Sequence, residues 1–433
     1  MNPTLSTKIF IPDVEARVMP DGKVYIYGSM DNEGDTEFCS TSYVTYSSTD
    51  LIHWEEHGEI FNSTDKKYGL NTHLTLGAPD CLFINGKYYL YYCAYGNGMG
   101  VAVADSPVGP FKWLGPVIPA DGDSIDPAIF QDDDGSVYYF WGQFNLKGGR
   151  LDKDMRTVIP ETINKNLLNE HEHGFHEGAS IRKFGDTYYM IYTDISRGKA
   201  TALAYATAKS PLGPYEKQGV IIDNSGCDSS SWNNHGSIEA INGELYVFYH
   251  RSSQNSIYNR RLCIEKIRMN ADGFIQEVAM TTNGPEEYVD LEKHILLMSH
   301  ASKMRMKLPF SDLEPMQLRP VDGVEVLTYT KDGDWVKFDN LKFGEDLNEV
   351  TIEYASPKPM KIELWLDGNE KFLEQPLEGT GSWSTFKEDT IRCQPISGIR
   401  TLWLVIRQEQ KSVGRLGNIK SIKFSKGETN GRN

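Results

Sequence analysis

The 433-residue chain exceeds the length at which one hydrophobic core keeps growing, so two domains are expected. Apolar residues make up 39% of it and include 23 Tyr, 18 Phe and 8 Trp, which excludes a disordered chain and suits strands and sugar-stacking surfaces. Forty-four Lys and Arg stand against 60 Asp and Glu, and the resulting charge of −16 repels phosphate backbones and anionic lipid, excluding nucleic acid and membrane as partners.

The opening residues MNPTLSTKIFIPD hold no apolar stretch behind a basic start, and no later run approaches membrane-spanning length. The expected location is cytoplasmic, or secreted if a leader has been removed. Cys39, Cys81, Cys93, Cys227, Cys263 and Cys393 form no CxxC and sit mostly in apolar runs, so they read as small buried hydrophobes rather than as disulfides.

A glycine turn followed by a Tyr-rich strand recurs five times: GKVYIYGSMD from Gly22, GKYYLYYCAY from Gly86, GSVYYFWGQF from Gly135, GDTYYMIYTD from Gly185 and GELYVFYHRS from Gly243. A second short apolar segment precedes each turn, so each unit is a hairpin with further strands after it. Four-stranded units repeated in this way predict a β-propeller of five blades. A sandwich also uses glycine turns, but it does not require the same motif five times.

Ionisable residues stand at matching distances ahead of the turns: Asp13, Asp126, Glu177 and His235, with Asp80 in looser register. Inner strands of a propeller line its axis, so three carboxylates and an imidazole are expected at one mouth, where neighbouring charges shift one another's pKa values. Asp80 is expected to be structural, and the acidic turn QDDDG at 131 to 135 to be solvated.

These residues resemble glycoside hydrolase family 43. The resemblance is carried by PDVEARVMPDGKVYIYGSMD with Asp13, Arg17 and Asp31, APD before GKYYLYY, SIDP from Ser124 to Pro127, Glu177 with Gly178, and His235 to Ile238; it spans about residues 10 to 295. Val14 and Gly77 stand where the family commonly has proline and tryptophan, the second departure reshaping a subsite wall. The resemblance implies an inverting exo-glycosidase that removes terminal α-L-arabinofuranosyl or β-D-xylosyl residues from arabinoxylan-derived or xylo-oligosaccharides. Asp13 would be the general base, Glu177 the general acid and Asp126 the carboxylate that raises the acid's pKa and orients it. Inversion asks for acid and base roughly 6.5–9.5 Å apart. His235 would lie beneath the sugar, and it is also a candidate contact, direct or through water, to a structural calcium in the channel; no cofactor is required for the chemistry. Arg251 is a further candidate substrate ligand, whereas Trp54 is expected to be core. An endo-acting arabinanase and a non-catalytic sugar-binding protein are the alternatives.

The propeller is expected over 1–297 and a linker over 298–310. Residues 311–428 then resemble a family 6 carbohydrate-binding module, a jelly-roll β-sandwich, ahead of a disordered tail at 429–433. Alternation in VTIEYAS and KIELWLD supports half-buried strands independently. The resemblance places Tyr329 and Trp383 as an aromatic pair around a sugar ring and Asn418 as its hydrogen-bonding anchor, with Trp365 and Trp403 in the core. The module's usual calcium site lacks acids, having Met316 and Lys420 in their place.

Overall fold

A computed structural model describes residues 1–95, 98–118, 125–306, 314–409 and 414–427. Ser124, the expected tail and part of the expected linker lie outside the described residues. Among the described residues no helix is long and apolar enough to cross a membrane.

Four antiparallel four-stranded sheets follow one another, beginning at Glu15–Val18, Leu76–Ile84, Ala128–Gln131 and Phe175–Phe184; a fifth sheet, of three strands rather than four, begins at Ser237–Ile241. These five inner strands abut in a closed circle, the fifth lying against both the fourth and the first. The ring is sealed by Ser237, whose hydroxyl accepts from the Ala16 N–H and donates to the Val14 carbonyl, both at 3.0 Å. The five repeated glycines all have φ between +58° and +83°, the left-handed conformation that a tight hairpin turn asks of glycine. The tyrosines that follow them fill the seams between blades. Tyr91 packs at a tilt against Tyr139, ring centres 5.4 Å apart, between blades two and three, while its hydroxyl donates to the Met155 carbonyl at 2.8 Å, which is why tyrosine rather than phenylalanine suits the seam. At the QDDDG turn, Asp132 is not merely solvated: it pairs with Lys183 of the next blade at 2.7 Å and accepts from Tyr188 at 2.6 Å.

Charged side chains tie the inner strands together near the axis. Arg17 of the first blade forks onto Asp80 of the second at 2.8–3.1 Å and donates to the Ile129 carbonyl of the third at 3.0 Å. Arg182 of the fourth blade reaches Glu239 of the fifth at 2.9 Å and Glu15 of the first at 2.6 Å. Asp80 is 1% exposed and also accepts the Ile129 N–H, the structural role expected of it. All six cysteines are free, five of them buried.

The C-terminal domain packs two sheets face to face, Leu364, Leu402 and Leu404 of one meeting Ile352, Ile419 and Ile422 of the other. Its boundary lies earlier than expected. Val289–Asp290 and Lys303–Met304 pair with Trp335–Phe343, and Leu296–Leu297 pairs with Asn418–Ser425, so residues expected to end the propeller and form the linker are edge strands of the sandwich. Trp365 and Trp403 lie opposite each other in register, half-buried on the outer face of their sheet, because the strand alternation gives the inner face to the leucines on either side.

The domains are joined by a buried ion pair. Arg261 of the fifth blade is 1% exposed and donates to both oxygens of Glu325 of the sandwich, at 3.1 and 2.5 Å. Truncating Glu325 to alanine strands that charge, so thermal or denaturant unfolding of the whole chain is expected to show a loss of about 3 kcal/mol; an unchanged melting curve would mean that Arg261 finds another partner.

Candidate active site

Each acid reaches the mouth of the ring through an irregularity of the backbone. Asp13 and Asp126 precede the inner strands of blades one and three in the left-handed region, at φ 56° and 52°, a conformation that costs a non-glycine residue free energy and concentrates at functional sites. Glu177 lies inside the inner strand of blade four, where the register slips on both sides of it, so a bulge turns its side chain toward the mouth. Gly178 beside it has φ +68°, and a Cβ there would fall 2.9 Å from the His235 ring, so the Glu-Gly pair lets the imidazole pack directly beneath the acid's backbone.

Asp13, Asp126, Glu177 and His235 line one pocket of about 340 Å³, with Phe38, Tyr95 and Trp232 supplying aromatic walls. The expected convergence of the four ionisable groups is therefore what the fold produces. The wall altered at Gly77 is rebuilt by a neighbour: a Cβ there would meet the Cys93 sulfur at 2.6 Å and the Tyr95 ring at about 3 Å, so Tyr95 occupies the space that a larger side chain would need.

The two aspartates live in opposite fields. Asp13 is buried, which by itself disfavours the anion, but Arg260 donates to its Oδ1 at 2.9 Å, His235 and His250 lie 3.8 and 3.5 Å away, and Ser29 donates to Oδ2 at 2.8 Å; together they hold its pKa below the usual carboxylate value. Asp126 is equally buried and faces the charges of Glu177 and Asp13, while its Oδ2 accepts the Gly178 N–H at 3.1 Å; burial and like charge push its pKa well above the ordinary range. Glu177 is half-buried and accepts from the Gln143 amide at 2.9 Å. Burial lowers the pKa of His235 despite the nearby acids.

Arg251, a candidate sugar ligand from the sequence, does not line the pocket. It is buried on the other face of its strand, bound to the Tyr249 hydroxyl at 2.6 and 2.9 Å, the Thr281 carbonyl at 2.8 Å and Glu265 at 3.3 Å. Alternation gives the inward face to its neighbour His250, and the arginine at the ring is Arg260, which bridges Asp13 and Asp31 from the paired strand. Among the described residues no three His, Cys, Asp or Glu side chains converge as metal ligands, at His235 or elsewhere. Trp54 packs at the edge of a buried cluster with its indole N–H on the Leu51 carbonyl, the core role expected of it. In the sandwich, Tyr329, Trp383 and Asn418 do come together, and none of them lines the pocket: Asn418 donates to the Trp383 carbonyl at 2.7 Å, and Arg415 lies against both aromatic rings.

Arg260 is one of the forces that keep Asp13 ionised. Replacing it with methionine is expected to raise the Asp13 pKa, so the acid limb of the pH–rate profile should move to higher pH, whereas lysine should restore part of the shift; an unmoved limb in the folded methionine variant would remove Asp13 from the base role.

Comparison with known proteins agrees with this geometry. Residues 1–275 match the family model Glycosyl hydrolases family 43, and residues 311–426 match Carbohydrate binding module (family 6). A xylosidase/arabinosidase of Thermoclostridium stercorarium is 36% identical over 327 residues, covering 65% of this chain and 67% of the relative. An arabinoxylan arabinofuranohydrolase of Bacillus subtilis (strain 168) is 28% identical over 448 residues, covering 89% of this chain and 85% of its own length. Among solved structures, a β-xylosidase/α-arabinofuranosidase from a compost microbial metagenome, in complex with xylotriose and in calcium-free form, superposes with a TM-score of 0.56 at 30% identity, covering 64% of this chain and 97% of that one. Family model, propeller and acid ring agree, and the chain belongs to glycosyl hydrolase family 43.

Proposed function

We propose that the chain is an inverting exo-glycosidase that removes terminal α-L-arabinofuranosyl or β-D-xylosyl residues from arabinoxylan-derived oligosaccharides. The observation that carries this reading is a single pocket holding two aspartates in opposite electrostatic states beside a half-buried glutamate. Asp13, held anionic, takes a proton from a water that attacks the anomeric carbon. Burial and the negative charge of Glu177 let Asp126 retain a proton where an isolated carboxyl would have lost it. Glu177, the more exposed of the two, delivers a proton to the leaving oxygen as the glycosidic bond breaks. Attack and departure occur on opposite faces of the sugar, which inverts the anomeric centre. A pocket at the small end of ligand cavities favours release of one terminal sugar over cleavage within a long chain. The names of the similar enzymes support pentose substrates.

No step runs through an ion. A calcium ion in the channel would be held by His235, directly or through water, and would serve as a structural ion.

Nitrophenyl α-L-arabinofuranoside and β-D-xyloside assayed side by side, then arabinoxylan oligosaccharides, define the substrate. Glu177→Gln is expected to lower kcat on oligosaccharides by roughly 10²–10⁴-fold, with a much smaller loss on activated aryl glycosides, whose leaving groups need no proton. Equal losses on both would contradict the acid role.

A further inference from the structure

The aromatic pair of the sandwich does not face an empty slot. The Arg415 guanidinium lies 3.9 Å from the Tyr329 ring centre and 4.4 Å from that of Trp383, so it is clasped by both. One of its N–H groups donates to Thr328 Oγ1 at 2.8 Å, and no carboxylate among the described residues pairs with it. A second guanidinium, that of Arg319, lies 5.8 Å from the same Tyr329 ring and among the described residues hydrogen-bonds only to Gln317. Two arginines without acidic partners on one aromatic ring stand out in a chain that carries 60 acids and 44 bases. Around them the site is built. Tyr329 is held at φ 57°, a conformation that a bulky residue adopts only when its surroundings over-determine it. Asn418 is 1% exposed, and its Oδ1 has no hydrogen-bond partner although its amide nitrogen is used by the Trp383 carbonyl.

A neutral sugar ring cannot enter between Tyr329 and Trp383 while Arg415 fills the space. A guanidinium is a planar fork, however, and that of Arg415 is solvent-exposed, so it is open to a carboxylate through two parallel hydrogen bonds. We propose that the sandwich domain binds an acidic sugar, a uronic acid carried on an oligosaccharide, with Arg415 reading the carboxylate and the exposed flank of Trp383 supporting the sugar ring. The proposal concerns the sandwich alone and stands independently of the catalytic reading.

The test is calorimetric titration of the full chain carrying Asp13→Asn, which blocks turnover. The probes are a xylo-oligosaccharide bearing one glucuronosyl branch and the same oligosaccharide after reduction of its carboxyl group. The acidic form is expected to bind at least about tenfold more tightly, as befits one charge-assisted pair, and added salt should narrow the difference. Arg415→Ala should erase it, Arg415→Lys should keep only part, and Trp383→Ala should weaken both ligands. Equal affinity for the two probes, absence of binding to either, a preference that survives in a folded Arg415→Ala protein, or undiminished binding of both probes by a folded Trp383→Ala protein would overturn the proposal.

Discussion

The catalytic ring depends on ion pairs buried beside the propeller axis. Arg17 binds the carboxylate of a second blade and the backbone of a third, and Arg182 joins the fourth and fifth blades to the first. Charges this deeply buried contribute less to net stability than their short distances suggest, because desolvation offsets most of the attraction. Their effect is on uniqueness: removing one partner leaves the other uncompensated, so only one arrangement of the inner strands satisfies them all. Burial acting on Glu15 even outweighs its two arginines and raises its pKa, which shows how tightly the belt excludes water. Strands fixed in that way can hold carboxylates from blades far apart in sequence at one mouth.

Above the belt, identical chemistry is divided by environment. Asp13 and Asp126 are both aspartates, both buried, and both in left-handed backbone. One receives an arginine, two histidines and a serine; the other receives two carboxylates and a single amide N–H. Burial disfavours the anion in both, and the neighbours decide the outcome. The cost falls on Arg260, whose charge is shared between Asp13 and Asp31, and Asp31 is pushed upward by its burial against that cation. The next residue, Arg261, faces the sandwich and binds Glu325 there, so two successive residues of one strand serve the ring and the domain interface.

Much of this was legible in the sequence because the repeat is tied to backbone geometry. Five left-handed turn glycines and the tyrosines that follow them fix the blade count, and counting back from the glycines reaches Asp13, Asp126, Glu177 and His235. Arg260 was missed in favour of Arg251 because the choice depends on which face of a strand points inward, and the alternation in YHRS and NRRLC does not reveal that without a partner strand. Trp365 and Trp403 are only partly buried because they share a strand face with Lys361 and Glu363 and with Thr401 and Val405, opposite the leucines. The strands at 289–304 were illegible for another reason. Each is only two residues long and exists through pairing with distant partners, so it leaves no periodic trace. The clasp of Arg415 by Tyr329 and Trp383 likewise arises where three loops meet, and nothing local in the chain announces it.

The proposed reaction is a single displacement: water activated at Asp13 on one face of the sugar, the leaving oxygen protonated from Glu177 on the other. Proton NMR of the hydrolysis reaction, recorded before mutarotation scrambles the product, measures this most directly. An arabinofuranoside or xyloside that releases its sugar first as the opposite anomer agrees with it. First release of the anomer carried by the substrate would mean a covalent intermediate, and would contradict the division of labour drawn between Asp13 and the Asp126–Glu177 pair.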